Sequence, residues 1–173
     1  MSRTLCLDEI WDLAYRYVPA TAADRRLDKS GPRSWWPAHE IGHFLVATAA
    51  ECRAPLFGID TDAAPETSEY RYMTAKEIAA TSISQRLLRR SGHKVLADEE
   101  IFYTDEETLA CSFESWCKRA AGRLLRVNKA VRLPTTYQGL EALLARKARE
   151  ADTPAYPSRQ AAQRARPPLE SIY

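Results

Sequence analysis

Leu7, Ile10, Trp11, Ala14, Tyr15 and Val18 recur at the three-and-four spacing that gathers them on one side of a helix, so residues 7–18 are predicted to form an amphipathic helix. The polar stretch that follows contains Gly31-Pro32 and reads as a loop. A second predicted helix begins near Trp36 with Pro37 in its first turn. It runs to about Arg53, because Pro55 cannot continue it. Here the pattern changes: Phe44, Leu45, Val46, Ala47, Ala49 and Ala50 place apolar residues on several sides, as a buried helix requires.

Downstream, "PLFGID" (55–60) is short and apolar and is the best strand candidate. Residues 61–72 read as a loop, with weak strand character at "YRYM". A third helix is predicted over 74–90, ended by Ser91-Gly92. "HKVLADEEIFY" fits no single period. The fourth helix starts at Thr104, with Glu107 completing a capping box, and carries the stripe Leu109, Phe113, Trp116, Cys117, Ala120 and Leu124. A fifth, about 136–150, turns Leu140, Leu143 and Leu144 inward. From Ala151 onward the chain is rich in Pro, Ala and Arg, and an extended or disordered tail is expected. The predicted fold is mainly α (α+β), with about five helices and a small, short-stranded sheet. It comprises one domain over 1–150 and a tail over 151–173.

Composition adds a few bounds. The 173 residues, 45% hydrophobic and 28% charged, suit one soluble globular domain. No apolar run approaches the roughly 20 residues that span a bilayer. The acidic N-terminal stretch does not resemble a signal peptide, so a cytoplasmic location is expected. The four cysteines are then expected to be reduced. Residues 1–117 hold 13 Lys/Arg against 19 Asp/Glu, and residues 118–173 hold 12 against 4. A basic C-terminal part therefore either stays solvated or rests against something anionic, the acidic body included. Nucleic acid is not expected as a partner, because the tail lacks interleaved aromatics and the body is acidic.

The candidate chemistry lies in the second helix. "PAHEIGHFLVATAAEC" (37–52) holds two of the three histidines, four places apart, with Glu40 between them. Such a pair lies on one helix face with both imidazoles able to reach one ion. Glu40 points beside them, where it can take a proton from water activated by that ion. In a chain with 3 histidines in 173 residues, a chance match is on the order of 0.3%. Two unrelated core histidines would each need a polar partner of their own. His39 and His43 are thus predicted zinc ligands, one Zn2+ per chain, and Glu40 the general base.

A catalytic zinc ion usually takes three protein ligands. Glu51 is excluded, since eight residues of helix put it about 12 Å along the axis from His43. Asp105 is the first candidate, because the stripe of the fourth helix, counted back from Phe113 and Leu109, turns it toward the core. Glu77, in the third helix, is the alternative and would make a gluzincin-like site. His93 is a third choice, just beyond a helix-ending glycine.

"AHEIGHFLVATAAECRAPLFGID" and "YTDEETLA" (103–110) together resemble the peptidase domain of the FtsH-type zinc metalloproteases. In that family a short strand follows the HExxH helix and an aspartate opening a later helix is the third ligand. The resemblance spans roughly residues 36–125 and implies His39, His43 and Asp105 as ligands with Glu40 as base. It does not extend to an ATPase module: no G-x-x-x-x-G-K-S/T arrangement, and hence no ATP site, occurs.

A small soluble zinc metallopeptidase is therefore expected, acting on flexible protein or peptide substrates or on those delivered by a partner. A Glu77 ligand would favour a second reading, similarity to the ImmA/IrrE proteases that cleave a regulator. A third is a zincin-like interaction protein without turnover. Trp35 and Trp36 either pack the core or line a substrate groove.

Overall fold

A computed structural model describes residues 3–19, 31–58, 68–100, 122–123 and 132–165. Within them the chain is mainly helical, in the order α1 (Leu7–Tyr17), α2 (Trp36–Val46), α3 (Ala49–Cys52), a 3-10 turn (Pro55–Gly58), α4 (Ser68–Arg90), α5 (Lys94–Glu99), α6 (Tyr137–Ala151) and α7 (Arg159–Ala165). Among the described residues, the only β pairing is an isolated antiparallel bridge between Thr4 and Thr136. Helices α1 and α6 form where the apolar spacing predicts them. Apart from residues 122–123, which are helical, the fourth predicted helix, with Asp105, Cys111 and Cys117, lies outside the described residues.

Helix α2 is the centre of the molecule. Every residue from Pro37 to Val46 is buried, the two histidines and Glu40 included. It packs chiefly against α4, with α1 on another side. Small residues on α4 permit close approach: Ala75, Ala79, Ala80, Thr81 and Ser84 are all fully buried. At the crossing, Gly42 meets the backbone of Ala80. Ile41, Phe44, Ile83, Leu87 and Leu88 fill the core around this contact.

Four expectations need correction. The second helix does not run to Arg53, because the backbone turns extended at Ala47 (φ −71°, ψ 148°). Thr48 and Glu51 form a capping box there, with Glu51 N donating to Thr48 Oγ1 at 3.2 Å and Thr48 N to Glu51 Oε1 at 2.9 Å. That local start signal outcompetes continuation of an apolar run. "PLFG" is a 3-10 turn instead of a strand. Phe57 (φ 55°) and Gly58 (φ 71°) both adopt left-handed backbone, which no strand accommodates. For Phe57 this conformation costs about 1 kcal/mol or more. Helix α4 starts at Ser68, so "YRYM" is helical: intrinsic strand preference yields to context.

The tail, as far as Ala165, is the fourth correction. α6 closes on Asp152 in the left-handed conformation (φ 54°), and Thr153 N donates back to Ala148 O at 3.0 Å. The chain then returns to α1, where Tyr156 N donates to Arg16 O (3.0 Å) and Arg16 Nε to Tyr156 O (2.8 Å). Arg159 lies over the Trp11 ring, 4.0 Å from its centroid, and pairs with Asp12 at 3.0 Å. Ala162 of α7 is fully buried. Part of the basic C-terminal segment therefore rests on the acidic body. A few specific tertiary contacts outweigh the disorder suggested by composition.

A methyl group on Gly42 would sit 2.5 Å from Ala80 O and 3.0 Å from Ala80 Cα. Backbone cannot rotate out of the way as a side chain can. Gly42→Ala is expected to destabilise the protein by about 1–3 kcal/mol through overpacking, although alanine is the better helix former by about 1 kcal/mol. Urea unfolding of the two proteins measures the difference; equal midpoints would show that the helices are free to move apart.

Candidate metal centre

The four-residue spacing on α2 brings the two imidazoles together: His39 Nε2 and His43 Nε2 lie 3.1 Å apart. Close packing of α4 adds a carboxylate. Glu77 stands one helical turn before Ala80, the residue in contact with Gly42, which itself lies between the histidines. Glu77 Oε2 is 3.1 Å from His39 Nε2, and Glu77 Oε1 is 3.1 Å from His43 Nε2. Zinc bonds of about 2.0–2.1 Å in tetrahedral array would set ligand atoms roughly 3.3 Å apart. Each Nε2 thus lies 3.1 Å from the other and from one oxygen of Glu77, nearly the spacing one such ion would need, and the chemistry, two imidazoles and a carboxylate, suits zinc.

The surroundings orient these groups. His39 Nδ1 is 2.7 Å from Glu100 Oε1, and Ser84 Oγ donates to Glu100 Oε2 at 2.5 Å. Holding Nδ1 in this way leaves Nε2 to face Glu77 and His43. His39, His43 and Glu100 are excluded from water, whereas the Glu77 side chain is 21% exposed, so the cluster opens on the Glu77 side. Trp35 and Trp36 both place their rings edge-on to His39, with centroids 5.6 Å away. The Phe57 ring lies nearly parallel to that of His43, at 12° and 5.6 Å.

Without a metal the cluster behaves as an ion-paired network. Burial alone would lower the His39 pKa, but hydrogen bonds and charge from Glu100 and Glu77 outweigh it and raise it to about 10. Burial would raise Glu77, yet the charge on His43 and the hydrogen bonds from both histidines hold it well below the ordinary carboxylate range. Glu100 goes the other way, raised by burial despite its bond to His39.

Of the residues singled out from sequence, His39, His43 and Glu77 are brought together. Glu40 is buried beside them on α2. Asp105 lies outside the described residues. His93 is engaged elsewhere, its Nε2 3.0 Å from Leu5 O, at the start of α5. Glu51 pairs with Lys76. Reading the sequence missed Glu100, Ser84 and Phe57. Glu100 sits in the stretch without a clear period, and Phe57 in a turn mistaken for a strand, so neither had a pattern to give it away. Comparison with protein-family models, curated proteins and solved structures finds no match to this chain.

The two pKa displacements define a window for the metal-free protein. A depressed Glu77 contributes stability that is present above its ordinary 4.5 and lost as pH falls. A raised His39 contributes stability that is full below 6.5 and fades as pH climbs toward 10. Glu77→Gln is therefore expected to cost about 1–3 kcal/mol. The gap from wild type should be widest between about pH 4.5 and 6.5 and shrink on both sides. Chemical denaturation of both proteins in chelator across pH tests this; a gap independent of pH would mean that Glu77 is not ion-paired.

Proposed function

We propose that this chain is a small zinc-dependent metallopeptidase with His39, His43 and Glu77 as its metal ligands and Glu40 as its general base. The observation that carries the reading is the convergence of two imidazoles and one carboxylate from two helices: the Nε2 atoms lie 3.1 Å apart, and each is 3.1 Å from a different oxygen of Glu77. An HExxH helix with a glutamate from a following helix is the gluzincin-like arrangement. It favours similarity to the ImmA/IrrE regulator-cleaving proteases over the FtsH-type ligand set with Asp105. The reaction is hydrolysis of a peptide bond in a flexible segment of a protein, presented freely or by a partner.

When bound, zinc supplies Lewis acidity, polarising a carbonyl and lowering the pKa of water toward 7. His39 and His43 offer their Nε2 atoms, with His39 fixed by Glu100 behind it. Glu77 neutralises one positive charge and borders the open side. Glu40 accepts a proton from the attacking water and returns it to the leaving amine, as the carbon–oxygen bond forms and the carbon–nitrogen bond breaks. Glu40 is itself buried, on the same helix as both histidines.

Elemental analysis and peptide hydrolysis together test the assignment. Wild type is expected to hold about one zinc per chain, Glu77→Ala to lose it and Asp105→Ala to keep it. Glu40→Gln should retain zinc while kcat falls by about 10²–10⁴. Loss of zinc in Asp105→Ala with retention in Glu77→Ala would favour the FtsH-type ligand set instead. Wild-type cleavage by Glu40→Gln would remove Glu40 from the mechanism. Metal-free wild type, even after zinc is added, would leave an interaction protein.

A further inference from the structure

Phe57 combines features that ordinary packing does not explain. It is the non-glycine residue of the 3-10 turn whose backbone is left-handed, at φ 55°, although its side chain is large and 3% exposed. Non-glycine residues held in that region persist only where their surroundings enforce it. The surroundings here are specific. Lys76 Nζ donates to Phe57 O at 3.2 Å, and the same ammonium pairs with Glu51, whose carboxylate also caps the segment after α2. Lys76 is itself 6% exposed and immediately precedes Glu77 in α4. The backbone distortion aims the Phe57 ring at His43, where the two planes lie 12° apart.

We propose that Phe57 is a positioning residue for the metal centre: its ring fixes the plane of the His43 imidazole, and the Lys76 and Glu51 tether holds it there. The proposal rests on the metal-centre reading above. His39 is oriented by a hydrogen bond to Glu100; for His43, the flat aromatic face performs the equivalent task. Because Lys76 and Glu77 are consecutive, the tether also couples the placement of Phe57 to the helix that brings the carboxylate. An imidazole free to rotate about its χ2 angle would spend less time with Nε2 on the ion, so removal of the flat face should weaken binding as loss of other outer-shell partners does.

The test is titration of metal-free wild type, Phe57→Leu and Phe57→Tyr with Co2+, read by visible absorption, and with Zn2+ in competition with a chromophoric chelator. Circular dichroism of the metal-free proteins reports the fold independently. Phe57→Leu is expected to keep its helical content, bind zinc about tenfold or more weakly and give an altered cobalt spectrum, while Phe57→Tyr stays close to wild type. Wild-type affinity and spectrum in Phe57→Leu would overturn the assignment. Should Phe57→Leu not fold, NMR of wild type decides: nuclear Overhauser contacts between the ring protons of Phe57 and those of His43 are expected, and their absence would refute the contact. If wild type itself binds neither cobalt nor zinc, the metal-centre reading fails and this proposal with it, an outcome distinct from binding that ignores Phe57.

Discussion

The close approach of α2 and α4 at Gly42 and Ala80 is the constraint on which the rest of the structure depends. A side chain on residue 42 would force the helices apart, and the chemistry is built at that level of the crossing. His39 and His43 flank Gly42 on one helix, and Glu77 lies a turn from Ala80 on the other. A separation larger by one methyl group would carry the carboxylate out of reach of both imidazoles. The run of small residues on α4, Ala79, Ala80, Thr81 and Ser84, is the other half of the same device.

Such an approach creates an electrostatic difficulty that the cluster resolves. Two imidazoles and the carboxylate of Glu100 are removed from water in the centre of a helical core, where an isolated charge would be prohibitive. Each therefore has a partner: Glu100 takes Nδ1 of His39 and the hydroxyl of Ser84, and Glu77 spans both Nε2 atoms. The resulting set has an asymmetric boundary. Aromatic rings from Trp35, Trp36 and Phe57 close on the histidines, and the partly exposed Glu77 marks the approach from solvent. The core thus gathers two imidazoles and a carboxylate at one place, with polar supports behind them.

The periphery holds α2 at its C-terminal end. Lys147 donates to the carbonyl of Ala47, where α2 stops, and Arg53 donates to Ala151 O at 2.6 Å, tying the following turn to α6. The segment after α6 binds back to α1 through Arg16 and Tyr156. Charged side chains thus satisfy carbonyls at helix ends that would otherwise be buried without donors. This explains why a stretch poor in bulky apolar residues is ordered: Arg159 and Ala162 dock on Trp11, Asp12 and their neighbours without needing a core of their own.

Periodicity by itself determined the helices whose apolar spacing is regular, α1 and α6, and the burial of α2. The His39–Glu40–His43 spacing determined that two imidazoles share one face, because four residues advance a helix by about one turn. These are local consequences of backbone geometry, so one stretch of sequence suffices. The meeting of Glu77 with that face, the support from Glu100 and Ser84, and the contact of Phe57 with His43 depend on residues far apart along the chain. The packing of α2 against α4 decides the first, and the placement of residue 100 after α5 and of the 3-10 turn decides the others. The break at Thr48 and the folded tail belong to the same class: the capping box was written in the sequence, but an apolar run and a Pro- and Arg-rich composition each suggested another answer, and tertiary contacts chose between them.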